Sequence, residues 1–177
     1  MTRRAGRAGG NSARAAVCLV LAGLLGPALA GCGFTPLYAK PQVTQGLSHI
    51  NVVSPSGRVG FLLGEDLNDD LGRDKDAEPA YRLEMTLKQT RGQRGLTLSD
   101  VADYYDVGLS VHFSLVAAGT GKVVYSGDVA SQVSYDDSGQ AYADIAAAQD
   151  ADARAAADAA QRIQIKLAAW IARQPPS

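Results

Sequence analysis

Cys32 is the residue with the most specific chemistry in this sequence, because its thiol can be acylated. It follows a basic stretch that ends at Arg14 and an apolar run over residues 15–30. The run contains two glycines and Pro27, and it is too short and too interrupted for a membrane-spanning helix. A basic segment followed by such a run predicts a secretory signal peptide that ends near Cys32.

The tetrapeptide Leu29-Ala30-Gly31-Cys32 predicts both the cleavage site and the modified thiol. Small residues before the cysteine fit narrow peptidase subsites, and the thiol can accept a diacylglycerol group as a thioether. The tetrapeptide resembles the bacterial lipobox at each position. We therefore expect residues 1–31 to be a lipoprotein signal peptide that is removed. An ordinary secretory signal with a chance cysteine is the alternative.

The expected anchor is covalent lipid on Cys32, an S-diacylglycerol group together with an N-acyl chain, and no other cofactor is expected. Several acyl chains, each contributing ~0.8 kcal/mol per buried CH2, make release from the membrane negligible. Gly33 follows the cysteine, whereas aspartate at that position is the retention signal of inner-membrane lipoproteins. The expected location is therefore the periplasmic face of the outer membrane.

The composition of the mature chain excludes two classes of protein. Four arginines lie in the signal peptide, so 13 of the 17 basic residues remain against 18 acidic ones, a net charge of −5. This charge provides no basic field for nucleic acid. Cys18 would leave with the signal peptide and Cys32 would be acylated, which excludes a disulfide-held scaffold.

Catalytic and metal-binding patterns are weak. His49 and His112 are the only histidines, and neither has a nearby cysteine or a spaced second histidine for zinc. Residues 57–64 have the glycine spacing of a phosphate loop but lack the lysine and hydroxyl residue that follow one. The three aspartates within residues 66–70 have helical spacing and indicate a solvated acidic face. We expect no metal site and no enzymatic activity.

The elements that position these residues begin after the anchor. Two prolines and a glycine indicate an extended, lipidated tether over residues 32–46. Residues 47–53 alternate and end in β-branched residues, which predicts a first strand. A break at residues 54–57 precedes an amphipathic helix that ends near Gly72, with one apolar residue in every four: Val59, Leu63, Leu67 and Leu71.

The rest of the chain predicts three strands and one long helix. Alternation begins at Tyr81, and residues 90–95 are predicted to form a turn. A strand from Tyr105 to Leu115 and a fourth strand from Val123 follow, joined by a glycine-containing hairpin turn; Gly127 in the fourth strand is a candidate bulge. An alanine-rich helix then runs from about Gln140 to Arg173.

These patterns predict one α+β domain over residues 47–173, with residues 174–177 as a tail. The element order is β-α-β-β-β-α. One apolar sheet face and two helices with one apolar stripe each are best satisfied by a two-layer α/β sandwich, a four-stranded sheet with both helices on one face. The other sheet face is polar and contacts water or a partner.

Residues 32–38, with the sequence CGFTPLY, resemble the start of the LptE family of lipopolysaccharide-assembly lipoproteins. The order of elements is also similar. The resemblance implies a protein without enzymatic activity that sits as a plug in the LptD β-barrel, assists barrel assembly and supports lipopolysaccharide transport to the outer leaflet. An auxiliary lipoprotein of another envelope lipid-transport complex is the alternative, and it would have an inner-membrane partner.

Two groups of residues are candidates for partner contacts. Three apolar residues on the polar tether could lie against the barrel wall or lipid headgroups, or pack back on the domain: Phe34, Leu37 and Tyr38. Tyr104 and Tyr105 are further candidates for contact with the barrel.

The second group is basic. Lys88, Arg91 and Arg94 form the densest cationic cluster of the mature chain, at the predicted turn. Lipopolysaccharide carries phosphates on lipid A, and guanidinium groups bind phosphate bidentately. The cluster therefore predicts a lipopolysaccharide contact; the alternative is a solvated hairpin tip.

Overall fold

The computed structural model of this protein describes residues 41–94, 104–136 and 138–175. Within these ranges the chain forms helices and strands in the order α1 (Pro41–Ser48), β1 (Ile50–Val52), α2 (Arg58–Asp70), β2 (Tyr81–Arg94), β3 (Tyr104–Ala117), β4 (Val123–Asp136) and α3 (Ala141–Ile171). The described elements belong to one structural unit. The signal peptide, Cys32 and the three apolar tether residues lie outside the described ranges.

The four strands form one sheet in the order β1-β2-β3-β4. β1 is parallel to β2, with α2 as the crossover between them, and the other two pairs are antiparallel. The predicted α+β class, the four strands and the order β-α-β-β-β-α are confirmed, with α1 as an added helix before β1.

One face of the sheet is apolar because the strands alternate. Leu83 on β2 and Phe113 on β3 are fully buried under the helices. The alanine-rich centre of α3 packs on this face and alongside α2. Small side chains allow this close approach, and six alanines of α3 are completely buried: Ala151, Ala155, Ala156, Ala159, Ala160 and Ala168.

The predicted apolar stripe of α2 is buried in the core, at Val59, Leu63, Leu67 and Leu71. The helix begins after Gly57, where φ is +90°, and it stops at Gly72, where φ is +58°. Positive φ favours glycine because it has no Cβ. The N–H of Arg73 then bonds the carbonyl of Asn68, which satisfies an orphan group of the last turn. The break and the stop therefore occur where the sequence predicts them.

Residues 41–46 are helical, which corrects this part of the extended tether expected over residues 32–46; residues 32–40 lie outside the described ranges. α1 places Pro41 at its first position, where the missing N–H costs no hydrogen bond. It also buries Val43 and Leu47 in the core. Burial of these two side chains stabilises a helix that is too short to be stable alone. The first strand accordingly begins at Ile50 and not at residue 47.

The turn predicted over residues 90–95 is wrong for residues 90–94, which continue β2. Each of these residues pairs with β3, from Thr90 opposite Gly108 to Arg94 opposite Tyr104. The two glycines and the polar residues there resembled a turn, but ladder hydrogen bonds with β3 outweigh that local preference.

The bulge lies elsewhere than at the predicted Gly127. The register shifts between Leu115 and Val116 near the end of β3, which pair with Tyr125 and Val123 and leave Val124 of β4 without a partner in the register. Gly127 pairs regularly with Phe113, and a Cβ added to Gly127 would lie 2.9 Å from Cζ of that ring. The glycine therefore provides room for the buried Phe113 side chain.

Candidate interaction surfaces

Asp152 is a buried carboxylate on the sheet-facing side of α3, with 6% of its surface exposed. Its Oδ2 lies 2.6 Å from Nη2 of Arg91, and its Oδ1 accepts a hydrogen bond of 2.6 Å from Nε2 of Gln89. Nη1 of Arg58, the first residue of α2, is 4.0 Å away. The carboxylate thus links α3, β2 and α2.

The predicted basic cluster is divided between the two faces of the sheet. Arg91 lies on the helix-facing side, where its guanidinium binds Asp152. Lys88 lies on the polar side and is exposed. Arg94 is the last residue of β2, and its side chain is outside the described set. The structure therefore separates Lys88, which presents its charge to the polar face, from Arg91, which is bound on the helix-facing side.

A shallow depression of about 440 Å³ crosses the polar face near Lys88. An adjoining depression of about 620 Å³ shares Ser110 and Ala130 with it. Small residues on β3 and β4 form the shared floor because they leave space above the sheet. No helix of the described chain covers this face.

Two hydrogen-bonded groups order the rim of the polar face. Nδ1 of His112 lies 2.8 Å from Oδ1 of Asp128. Asp106 accepts hydrogen bonds from Ser134 at 2.6 Å and from Gln132 at 3.0 Å. These contacts hold acidic groups on β3 and β4, while Lys88 places positive charge on β2.

The two candidate tyrosines point to opposite faces. Tyr104 is on the polar side and is 49% exposed. Tyr105 is on the helix side, where its ring stacks on Tyr135 at 5.6 Å and its hydroxyl accepts a hydrogen bond from Gln93. Tyr104 is therefore available to a partner, and Tyr105 is already packed within the domain.

The first turns of α3 expose apolar side chains at the same end of the sheet. Tyr142 is 89% exposed, and Ile145, one turn further along the helix, is 58% exposed. α2 begins level with Asp152, so it does not extend beside these turns.

The acidic face predicted on α2 is present and is electrostatically unfavourable. Desolvation by partial burial raises the pKa of Asp66, and the neighbouring Asp70, Asp69 and Glu65 raise it further. The pKa of Asp70 is raised by desolvation and by Asp69. In the described residues no group of three or more acidic, histidine or cysteine side chains could hold a metal ion. Among the same residues, no helix is long and apolar enough to cross a membrane.

The lipopolysaccharide-assembly family LptE matches residues 46–167, well over half of the chain. The chain belongs to the LptE family. Membership associates it with lipopolysaccharide assembly and with lipoproteins of the outer membrane, and it confirms the resemblance carried by residues 32–38.

Solved structures of lipoproteins share the LptE-type fold. A protein of Caulobacter crescentus CB15 described as a lipoprotein is 36% identical, with a TM-score of 0.65 over 75% of this chain and 97% of that one. Rare lipoprotein B of Shewanella oneidensis is 17% identical, with a TM-score of 0.52 over 68% of this chain and 92% of that one.

Lipoprotein B of Nitrosomonas europaea is 15% identical, with a TM-score of 0.50 over 70% of this chain and 84% of that one. The identities of this protein and of the Shewanella protein are low, so these two likenesses bear on the fold alone. Among curated proteins, none matches this chain significantly.

Sequence reasoning missed the role of Asp152 in this LptE-family chain. One signal was available, because an acidic residue between buried alanines on a helix requires a partner to offset its desolvation. The identity of that partner was not available from the sequence. Arg91 is 61 residues away, and it was placed in a turn.

Proposed function

We propose that this protein is anchored to the outer membrane through lipid on Cys32 and docks as a plug in the LptD β-barrel. In that position it assists barrel assembly and supports lipopolysaccharide transport to the outer leaflet. It acts by binding and not by catalysis. Family membership over residues 46–167 is the observation that carries this proposal.

The uncovered polar sheet face supports docking in a barrel. The inside of a large outer-membrane barrel is polar. The face carries serines, threonines and paired charges, and its small floor residues Ser110 and Ala130 allow close approach of another surface. Exposed Tyr104 at one end offers an apolar ring with a polar tip, a side chain that is enriched at protein interfaces.

Photocrosslinking in the native envelope tests this docking mode. A photoreactive residue at Ser110 is expected to crosslink to a large outer-membrane β-barrel, whereas the same residue at Phe61, exposed on α2, serves as the matched control position. Capture of inner-membrane transporter subunits would instead support an auxiliary lipoprotein of another lipid-transport complex. Equal crosslinking from both positions would contradict the polar face as the docking surface.

The apolar tether residues are proposed as a second barrel contact. Replacing Phe34, Leu37 and Tyr38 together by serine is expected to lower the amount of barrel that co-purifies. The melting temperature of the domain is expected to stay the same. An unchanged yield of the barrel would remove the tether from the docking surface.

We also propose that Lys88 and Arg94 contact lipopolysaccharide phosphates, with Lys88 at the depression on the polar face. Arg91 belongs to the basic cluster predicted from the sequence, but its guanidinium is bound to Asp152. Its contribution to lipopolysaccharide binding is therefore indirect. Lys88→Glu is expected to weaken lipopolysaccharide binding more than Lys75→Glu, a matched change in the exposed connection before β2. Equal binding by the two variants would remove Lys88 from the site.

A further inference from the structure

A pocket of about 430 Å³ lies between α1 and the last turn of α3, at the end of the sheet opposite to Tyr104. Gly46 and Ile171 form its floor and lie so close that a Cβ on Gly46 would be 2.9 Å from Cγ2 of Ile171. The rings of Tyr81 and Trp170 line one side. The volume is within the usual range for small-molecule sites.

The aromatic wall of this pocket is held in place by packing. The ring of Trp170 stacks on Tyr125 with centroids 5.9 Å apart and planes 14° apart. The ring of Tyr81 meets the same indole edge-on at 5.6 Å. Phe113 in the core supports Tyr125 at 5.8 Å. A ligand therefore meets ring surfaces that are already positioned, which lowers the entropy cost of binding.

The rim of the pocket is polar but carries no charged side chain. Gln42, Gln45 and Gln174 line it, and their side-chain amides form no hydrogen bond within the described part of the chain. Nδ1 of His49 lies 2.6 Å from the carbonyl oxygen of Gln45. A carbonyl only accepts, so Nδ1 is the donor in this contact, and Nε2 is the ring nitrogen left for a ligand. The rim offers donors and acceptors together.

We propose that this pocket binds a neutral saccharide. Sugar hydroxyls both donate and accept hydrogen bonds. They can therefore pair with the donors and acceptors of the three glutamine amides and of His49. The C–H faces of a sugar ring are apolar and can lie on Trp170 and Tyr81. A phosphate or carboxylate ligand would need a cation, which the lining does not supply. Cell-wall glycan and the sugar portion of lipopolysaccharide share this chemistry.

Trp170 is the only tryptophan of the chain, so its fluorescence reports on this pocket directly. The test uses the full lipidated protein in a zwitterionic detergent, because glycoside detergents would compete. The probes are an N-acetylglucosamine tetramer for the cell-wall source and, for the lipopolysaccharide source, a neutral hexose oligosaccharide of the core that is free of acidic sugars and phosphate. A saturable change with a dissociation constant near or below ~1 mM is expected for at least one probe.

Two variants make this result specific to the pocket. Gln45→Ala and Gln174→Ala are each expected to weaken binding about fivefold, the effect of one lost hydrogen bond. Gln149→Ala, an exposed glutamine elsewhere on α3, is the matched control and should bind normally. Melting temperatures of all variants establish that they are folded.

Two outcomes would overturn the saccharide site. They are no saturable change with either probe, and equal affinities for the pocket variants and the control. Co-purification of the barrel with the Gln45→Ala variant is measured separately. A failed sugar titration with normal barrel recovery would overturn this inference and leave the proposed function intact.

Discussion

Asp152 shows at the residue scale how a buried charge is used in this domain. Both of its carboxylate oxygens are bound by β2, one by Gln89 and one by Arg91. The side chain of Arg91 is itself 46% exposed, so solvent screens this ion pair in part. We interpret the Asp152–Arg91 pair as a contact that fixes the position of α3 along β2. Setting the register between elements is a recognised use of buried ionic groups.

Asp152→Ala is expected to destabilise the domain by about 1–3 kcal/mol, because it removes the partner of two polar groups near the core. Asp150→Ala is the control, since Asp150 forms only an exposed helical pair with Arg154. That change should cost less than about 0.5 kcal/mol. Chemical denaturation measures both values. Equal losses for the two variants would mean that Asp152 has no special structural role.

The acidic end of α2 predicts a pH dependence at the residue scale. The folded-state pKa of Asp66 is raised from 3.8, chiefly by desolvation and then by Asp70, so its ionised form is disfavoured in the folded protein. This carboxylate also lies toward the negative end of the helix dipole. Its ionisation therefore lowers stability at neutral pH, and the penalty disappears as pH falls through the raised pKa.

Asp66→Asn is accordingly expected to raise the melting temperature at pH 7. The corresponding gain in the free energy of unfolding is less than about 1 kcal/mol. The gain should vanish near pH 3.8, the ordinary value for this group. Asp158→Asn is the contrasting control. The pKa of Asp158 is lowered, first by a hydrogen bond from Arg162, so its ionised form stabilises the folded protein. The substitution is therefore expected to lower stability at pH 7 and to have no effect in acid, where the carboxyl is protonated. A gain for Asp66→Asn that persists below pH 3 would contradict the assignment.

At the scale of elements, the packing between β3 and β4 depends on the absence of a side chain at Gly127. Gly127 lies opposite Phe113, which is completely buried. Gly127→Ala is expected to cost about 1–3 kcal/mol, because the ring cannot move without disturbing the core. Gly92→Ala on β2 has nothing within 4 Å of the added Cβ and should be neutral or slightly stabilising. Thermal unfolding of both variants tests this difference, and equal losses would rule out the Phe113 contact as the cause.

The element scale also separates what local patterns predict from what they miss. The repeats of α2 and α3 and the alternation of β3 are long, so their apolar periodicity identifies them. α1 and the end of β2 are exceptions. α1 has only two buried apolar residues in eight, and residues 90–94 contain turn-type residues, so pairing and packing with distant segments decide their conformations.

At the scale of the whole molecule, lipidation should decide where the protein resides. Cys32→Ala removes the thiol that is proposed to accept the lipid, so the variant is expected to move from the membrane fraction to the soluble periplasm. The domain itself is expected to fold as before, because the substitution precedes the core that extends from Val43 to Ile171. Fractionation and immunoblotting give the distribution. A variant that remains in the membrane fraction to the wild-type extent would mean that protein contacts, and not lipid, provide the anchor.

The sequence by itself determined the order of the main elements and the family, and it predicted the secretion signal and the acylation site at Cys32. These features depend on short motifs or on periodicity within one segment, so no distant contact is needed to detect them. Only the tertiary structure decided that Arg91 faces Asp152 while Lys88 faces the polar side, and that Tyr104 and Tyr105 point to opposite faces. Strand register sets these directions, since neighbouring side chains alternate between faces. The pocket between α1 and α3 likewise required the fold, because its lining comes from segments about 120 residues apart that only core packing brings together.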